Sequence, residues 1–209
     1  MKFVIFCEGY TEHMVIPNLF GRWLNPRLKE KVGFKLVRFN GWNQLVDDTP
    51  RKAKMYLDQK DSLGVISLLD LFGPTFYPTH ITEAEARRQW GMKYMLDRVD
   101  HLKYRHHFAV HELEAWLLSQ PEKFPPAVQR KLPGKVAQPE LINFNEPPAK
   151  LLDRLYMEAF KKGYKKVVEG SKLFLSLDPE ITYRKCPAFR ALVDDLLNLC
   201  PESNRISAV

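Results

Sequence analysis

Three short apolar runs, each followed closely by an acidic residue, constrain the fold more than any other feature of the sequence. Residues 3–7 precede Glu8, residues 64–69 precede Asp70, and residues 108–110 precede His111 and Glu112. A continuous apolar run of this kind is typical of a strand covered on both faces. Stretches with helical spacing of apolar residues separate the runs. This alternation predicts an α/β fold with a mainly parallel central sheet flanked by helices.

The remaining elements of a core over residues 1–120 follow from the same patterns. A second strand is expected over 34–39, a helix over 44–60, and a fourth strand over 106–111. Thr11 is in position to cap the helix after the first run. Thr82 and Glu85 have the spacing of a capping box for a helix that reaches about residue 99.

The acidic residues are expected to lie together, because the carboxyl ends of parallel strands meet at one edge of a sheet. Glu8, Asp70 and Glu112 are the candidate catalytic residues and metal ligands, and Glu114 is a further candidate ligand. Carboxylates brought together repel one another unless a cation neutralises them, and Mg²⁺ and Mn²⁺ prefer oxygen ligands. The pattern therefore predicts a divalent-metal site.

Each acidic residue also has a purely structural interpretation. An acid at the start of a helix is favoured by the helix dipole, a role that Glu12 fits better than Glu8. Asp70 precedes a Gly-Pro loop, where aspartate often forms turns. Glu12 and His111 are retained as supporting residues of the site.

Several other chemistries are excluded by motif. His111 and Glu112 begin an HExxH pattern, but Ala115 stands where the second zinc-binding histidine is required. The sequence has no P-loop, no GxGxxG and no GxSxG, and its three cysteines form no CxxC pair. No apolar stretch approaches the roughly 20 residues that a bilayer requires. A soluble, cytoplasmic protein is expected.

The sequence changes character after residue 120. Seven of the fifteen prolines lie within 121–148, which predicts an extended surface segment. Helices are expected to begin at Pro148 and near Pro187. Residues 147–190 contain ten Lys or Arg against five Asp or Glu, within a chain of net charge +7. Residues 121–209 are therefore interpreted as a basic helical extension packed on the core within a single domain.

The chain resembles an uncharacterised prokaryotic Toprim-related family. The resemblance rests on Cys-Glu-Gly-Tyr-Thr-Glu at 7–12, Leu-Leu-Asp at 68–70, and His-Glu-Leu-Glu-Ala-Trp-Leu-Leu at 111–118. Further matches are Pro-Ala-Lys at 148–150, the residues around 164–165, and Arg-Lys-Cys-Pro-Ala-Phe at 184–189. It implies a Toprim-like fold, similar to the Toprim part of OLD-family nucleases, and a partner that is an ABC-type ATPase in a phage-defence system.

The resemblance also assigns roles residue by residue. Glu8 matches the Toprim glutamate after the first strand, and Asp70 matches the first aspartate of the DxD pair. Phe72 occupies the second position of that pair, so Glu112 or Glu114 has to supply the missing ligand. This departure puts topoisomerase or primase activity in doubt more than nuclease activity. The implied activity is metal-dependent phosphodiester hydrolysis of DNA or RNA.

The basic extension then gains a role in binding nucleic acid. Lys150, Lys165, Arg184 and Lys185 are the candidate phosphate contacts. The structural alternative is a solvated lysine-rich helix surface. Two other functions stay open: a non-catalytic Toprim-like module that regulates an ATPase, and a basic nucleic-acid-binding protein without chemistry. The sequence leaves the oligomeric state open, with a homo-oligomer as one option.

Overall fold

The computed structural model of the protein describes residues 1–141 and 146–206. A four-stranded sheet forms the centre of the molecule, in the order β2-β1-β3-β4, and every pairing is parallel. The predicted α/β fold with a parallel central sheet is confirmed. The strands are β1 (Lys2–Cys7), β2 (Gly33–Arg38), β3 (Ser62–Asp70) and β4 (Tyr104–Ala109).

Helices cover both faces of the sheet. Between the strands run α1 (Tyr10–Leu24), α2 (Trp42–Leu57) and α3 (Ala84–Val99). Phe3 and Ile5 belong to the core cluster that contains α1, whereas Val4 and Phe6 belong to the cluster that contains α2 and α3. Successive side chains of a strand point to opposite faces, so a strand with helices on both sides is apolar at every position.

The predicted C-terminal helical region is present, and it packs against the α1 face of the sheet. Trp116, Leu152 and Phe189 share one core cluster with Phe3 and Phe20. The predicted helix starts at Pro148 and Pro187 are confirmed. The helices of this region are α4 (Glu114–Leu118), α5 (Pro126–Gln129), α6 (Pro148–Phe160), α7 (Ser171–Ser176), α8 (Pro179–Lys185) and α9 (Pro187–Leu199), and a π-helical turn, Lys166–Gly170, leads directly into α7.

The proline-rich segment differs from the extended path that was predicted for 121–148. Its described part is a series of short helical turns: Pro121–Lys123, Pro126–Gln129, Gly134–Ala137 and Pro139–Leu141. Phe124 and Val128 are buried within it. Proline suits the first position of a helical turn; three of these turns begin at a proline, and Pro133 directly precedes the turn that begins at Gly134. Residues 142–145 of the predicted segment lie outside the described residues.

Both predicted helix caps are wrong. The cap of α1 is Gly9, and Thr11 is buried one residue inside the helix. Helix α3 begins at Ala84 with Glu83 as its cap, without a side-chain capping bond. Within residues 1–141 and 146–206, none of the helices has the length and apolar character needed to cross a bilayer.

The buried side chain of His106 links β4 to its neighbour β3 at one side of the sheet. His106 on β4 lies with its Nδ1 2.7 Å from Oγ of Ser67 on β3, and that Oγ lies 2.5 Å from the hydroxyl of Tyr104. Burial, together with a smaller effect of the neighbouring His107, lowers the pKa of His106 to about 3. The ring is therefore neutral in the folded protein.

This histidine predicts a loss of stability in mild acid. The unfolded chain takes up a proton near the ordinary histidine pKa of about 6.5, whereas the folded chain does so only near pH 3. The contribution of His106 is therefore complete above pH 6.5 and is lost as the pH falls towards 3. Urea unfolding of His106→Asn between pH 7.5 and 4.5 should show a shallower fall in the free energy of unfolding than the native chain. The exposed His80, replaced by Gln, is the control, and equal slopes for His106→Asn and the native chain would contradict the prediction.

Candidate functional site

The order of the strands opens a crevice at the carboxyl edge of the sheet. The chain passes from β1 to β2 on one side of β1, whereas β3 and then β4 lie on the other side. The connections that leave β1 and β3 therefore diverge over opposite faces of the sheet. Ligands of open α/β sheets bind at such a point. Glu8 directly follows β1 and Asp70 ends β3, so these two carboxylates flank the crevice.

A cleft of about 410 Å³ occupies this position, and we call it the acidic cleft. Its charged lining residues come from four separate parts of the chain. They are Glu8, Glu12, Asp70, Glu114 and Lys166. Glu8 and Asp70 therefore lie together, as the sequence predicts for acids at strand ends. The acid that reaches the cleft from the segment after β4 is Glu114.

Gly9 allows Glu12 to reach back over the end of β1. A Cβ atom at position 9 would collide with the carboxylate of Glu12. The backbone of Gly9 is extended, with φ −100° and ψ 168°, so space rather than backbone conformation requires glycine here. The Glu-Gly-x-x-Glu spacing at 8–12 thus places two carboxylates on one wall of the cleft.

Backbone groups lie close to the two flanking carboxylates. Oδ1 of Asp70 accepts a hydrogen bond from the backbone N–H of Leu113 at 3.0 Å, which ties the end of β3 to the loop after β4. The backbone amides of Asp70 and Trp42 partly oppose the effect of burial on Glu8, because they lower the pKa of its carboxyl group. The position of Asp70 is therefore fixed by a bond between two separate parts of the chain.

The cleft favours the protonated forms of its acids. Burial, with Glu12 nearby, raises the pKa of Glu8 to about 7. Burial and the charges of Glu12 and Glu114 raise the pKa of Asp70 well above its usual range. Burial likewise raises the pKa values of Glu12 and Glu114. Carboxylates that are crowded together and have raised pKa values are typical of a cation-binding site with few cations near it.

Lys166 is the cation that the chain itself supplies to the cleft. Its Nζ lies 3.2 Å from Oε2 of Glu114 and 3.8 Å from Oε1 of Glu112. Burial alone would lower the pKa of Lys166, but the charges of Glu114, Asp70 and Glu112 raise it above its usual value. The side chain of Glu114 is only 2% exposed, whereas that of Lys166 is 44% exposed. The ammonium therefore enters the cleft from the solvent side.

The chain can be assigned to a family. A family model described as a domain of unknown function, DUF4276, matches residues 7–197. The protein belongs to the DUF4276 family. No curated protein matches its sequence.

Two solved structures resemble the DUF4276 chain over most of its length. The C-terminal region of the Burkholderia pseudomallei OLD protein shares 14% identity, with 95% of this chain and 98% of that one covered and a TM-score of 0.49. The C-terminal region of the Xanthomonas campestris pv. campestris OLD protein shares 16% identity, with 94% and 92% covered and a TM-score of 0.44.

Glu112 and His111 lie beside the acidic cleft of the DUF4276 chain. Oε2 of Glu112 accepts a hydrogen bond from the backbone N–H of Ala149 at 2.8 Å, so this carboxylate lies at the first turn of α6. His111 is buried with φ 62°, and burial lowers its pKa. Of the pair Glu112 and Glu114, it is Glu114 that lines the cleft.

The predicted nucleic-acid contacts are spread over the surface of the DUF4276 chain. Lys150 is exposed, with its Nζ 5.7 Å from the ring centroid of Phe72. Lys165 is exposed on the approach to the π-helical turn. Arg184 and Lys185 line a separate cavity of about 560 Å³ near the start of α9, and Nζ of Lys185 donates to the carbonyl of Ser119 at 2.7 Å.

The geometry of the carboxylates is that of a cleft neutralised by lysine. In the described part of the chain, no three His, Cys, Asp or Glu side chains are grouped closely enough to hold one metal ion. The donors are oxygen atoms, which suits Mg²⁺ or Mn²⁺ chemically. Three-point binding of a metal would require the side chains of Glu8, Asp70 and Glu114 to move towards one another.

The sequence places Lys166 among several lysines that could contact phosphates and does not predict its position in the acidic cleft. The residue stands among Lys161, Lys162, Lys165 and Lys172, and its spacing does not set it apart from them. The one available signal was the resemblance around 164–165. The structural signal is the π-helical turn that Lys166 begins, since such turns are frequent at functional sites.

Proposed function

We propose that the protein is a divalent-metal-dependent nuclease that hydrolyses phosphodiester bonds of DNA or RNA. The observation that carries the proposal is the convergence of Glu8, Asp70 and Glu114 on one cleft at the point where the sheet connections diverge. These acids follow three different strands, and only folding brings them together. Burial raises the pKa values of all three acids, so a bound cation would stabilise their charged forms.

In this proposal Glu8, Asp70 and Glu114 hold Mg²⁺ or Mn²⁺. The bound ion would polarise the phosphodiester and neutralise charge that develops on its oxygens. Burial raises the pKa of Glu8 to about 7, and a bound Mg²⁺ or Mn²⁺ would favour its ionised form. The half-exposed ammonium of Lys166 would leave Glu114 and bind a phosphate oxygen that enters the cleft from solvent.

Basic residues outside the cleft would position the nucleic acid. Nζ of Lys150 lies 5.7 Å from the ring centroid of Phe72, which follows Asp70 by two residues. Lys165 directly precedes Lys166 in the sequence and would contact a phosphate of the same nucleic-acid strand. Arg184 and Lys185 would contact phosphates farther from the cleft.

A cleavage assay tests this function. The native chain is incubated with labelled single- and double-stranded DNA and RNA in Mg²⁺, Mn²⁺ or EDTA, and compared with Glu8→Gln. We expect metal-dependent products from the native chain and a loss of about 100-fold or more in Glu8→Gln, because a few kcal/mol of transition-state stabilisation are removed. Asp61→Asn is the matched control, since Asp61 is exposed and pairs with Lys2 at the opposite end of β1. Cleavage that survives in EDTA or in Glu8→Gln would refute the proposal.

A second candidate function is a non-catalytic module that binds and regulates an ABC-type ATPase. Two observations favour it: Phe72 replaces an acid, and Lys166 already supplies a cation to the cleft. Thermal unfolding with and without millimolar Mg²⁺ or Mn²⁺ separates the candidates. Metal should raise the unfolding temperature of a nuclease by binding the folded state, and should leave that of a regulatory module unchanged.

A further inference from the structure

Four aromatic side chains form a cluster beside the acidic cleft, and we call it the aromatic platform. Phe76 lies at its centre, with ring centroids 5.9 Å from Trp42, 5.8 Å from Trp90 and 5.7 Å from Tyr94. Trp90 and Tyr94 are one helical turn apart on α3, and their rings stack at 4.8 Å with planes 16° apart. The rings thus come from α2, from the loop after β3, and from α3.

The platform keeps part of its surface in contact with solvent. Trp42, Phe76, Trp90 and Tyr94 are partly buried and pack against the second core cluster, whose own residues are buried. The structural interpretation is a minor extension of that core. Contiguous aromatic rings that are only partly buried are, however, often part of an interaction surface.

The platform is continuous with the acidic cleft. Gly41 lines the cleft, and the backbone of the next residue, Trp42, lies close enough to Glu8 to lower the pKa of its carboxyl group. On the other side, the chain that leaves Asp70 reaches Phe76 six residues later. A nucleic-acid strand with a phosphate in the cleft would therefore place its neighbouring bases over these rings.

Positive charge accompanies the rings. The guanidinium of Arg98 lies 5.1 Å from the ring centroid of Tyr94, and that of Arg87 lies 5.5 Å from Tyr77, which itself stacks on Phe76. The ammonium of Lys150 lies over the ring of Phe72. Phe72 belongs to the loop between the cleft residue Asp70 and the platform residue Phe76. Rings with cations around them suit a chain of bases joined by phosphates.

We propose, on the basis of the proposed nuclease function, that the aromatic platform stacks unpaired bases and makes the protein selective for single-stranded nucleic acid. The face of a base is accessible to a protein ring only when the base is unstacked from its neighbours. Stacking is tolerant of sequence because every base has a π-face. The platform thus distinguishes single-stranded from double-stranded nucleic acid and does not distinguish one base sequence from another.

Binding measured in EDTA tests the platform separately from cleavage. The probes are a fluorescein-labelled thymidine oligonucleotide and a duplex of the same length, read by anisotropy. Replacing Trp90 by Leu keeps apolar bulk and removes the ring, and should weaken single-strand binding at least about fivefold. Trp90→Phe should retain most of the affinity, and duplex binding should change little in either variant.

Tyr183→Leu is the matched control. Tyr183 is also a half-buried ring, stacked at 5.1 Å on Trp23 near the C-terminal end of α1, and should be neutral for binding. Equal single-strand affinity of the native chain and Trp90→Leu would overturn the proposal. Failure of all oligonucleotides to bind would also overturn it and would favour a protein partner on the rings. Single-strand selectivity that depends on Trp90, in a chain without metal-dependent cleavage, would support the platform and refute the nuclease.

Discussion

Replacing Asp70 by Asn is expected to abolish cleavage without lowering the stability of the fold. Asn keeps an Oδ1 that can accept the hydrogen bond from the N–H of Leu113, so the link between β3 and the following loop is retained. It cannot supply an ionised carboxylate to a metal. We expect the cleavage rate to fall about 100-fold or more, which corresponds to roughly 3 kcal/mol of lost transition-state stabilisation.

The effect of Asp70→Asn on stability has the opposite sign to that of most buried substitutions. Because the folded protein raises the pKa of Asp70, ionisation of this group opposes folding, and stability is lost as the pH rises through that raised value. Asn removes this cost, so the unfolding temperature at pH 8 should be unchanged or higher. Asp195→Asn is the contrasting control, because Asp195 pairs with His107 and Arg105, and its pKa is lowered. That variant should lose stability and retain cleavage.

Replacing Lys166 by Met should destabilise the protein, because the cleft then loses its only close ammonium among the described residues. Glu114 is almost fully buried, so without Lys166 it would have to take up a proton or remain as an unpaired buried charge, and either costs free energy. Removing one member of a buried ion pair costs about 3–5 kcal/mol, and the 44% exposure of Lys166 reduces this to about 1–3 kcal/mol through solvent screening. In a chain of this size the unfolding temperature should fall by roughly 2–12 °C, measured by differential scanning calorimetry at pH 8.

Two comparisons distinguish loss of charge from loss of packing at Lys166. Lys165→Met changes an adjacent exposed lysine and should leave stability nearly unchanged. Lys166→Met combined with Glu114→Gln should recover much of the lost stability, since the unpaired charge is gone. A double variant as unstable as Lys166→Met would show that the lysine stem, rather than its charge, stabilises the cleft.

The elements that hold Glu8 and Asp70 could be predicted because their sequence signals are local. A strand covered on both faces must be apolar at every position, so β1 and β3 are visible as runs, and the acid after each run marks its carboxyl end. The positions of Pro148 and Pro187 are equally informative, since proline is tolerated at the first position of a helix. Little beyond local sterics is needed for these predictions.

Other parts of the site depend on distant contacts and left no such signal. Glu112 and Glu114 differ by two positions, and only the packing of α4 and α6 decides which of them faces the cleft. The rings of Trp42, Phe76 and Trp90 are isolated in sequence and meet only after α2 and α3 pack on the same face of the sheet. The short turns within 121–141 depend on burial of Phe124 and Val128, which periodicity alone does not indicate.

The position of Lys166 in the chain has a consequence for biosynthesis. The residues that bring Glu8, Asp70 and Glu114 together leave the ribosome before Lys166 does, because it follows Glu114 by 52 positions. During that interval the nascent sheet carries buried acids without the ammonium that neutralises them. Protons or divalent cations from the surroundings are then the only available counter-charges, so the early folding intermediate should be more sensitive to ions than the finished protein.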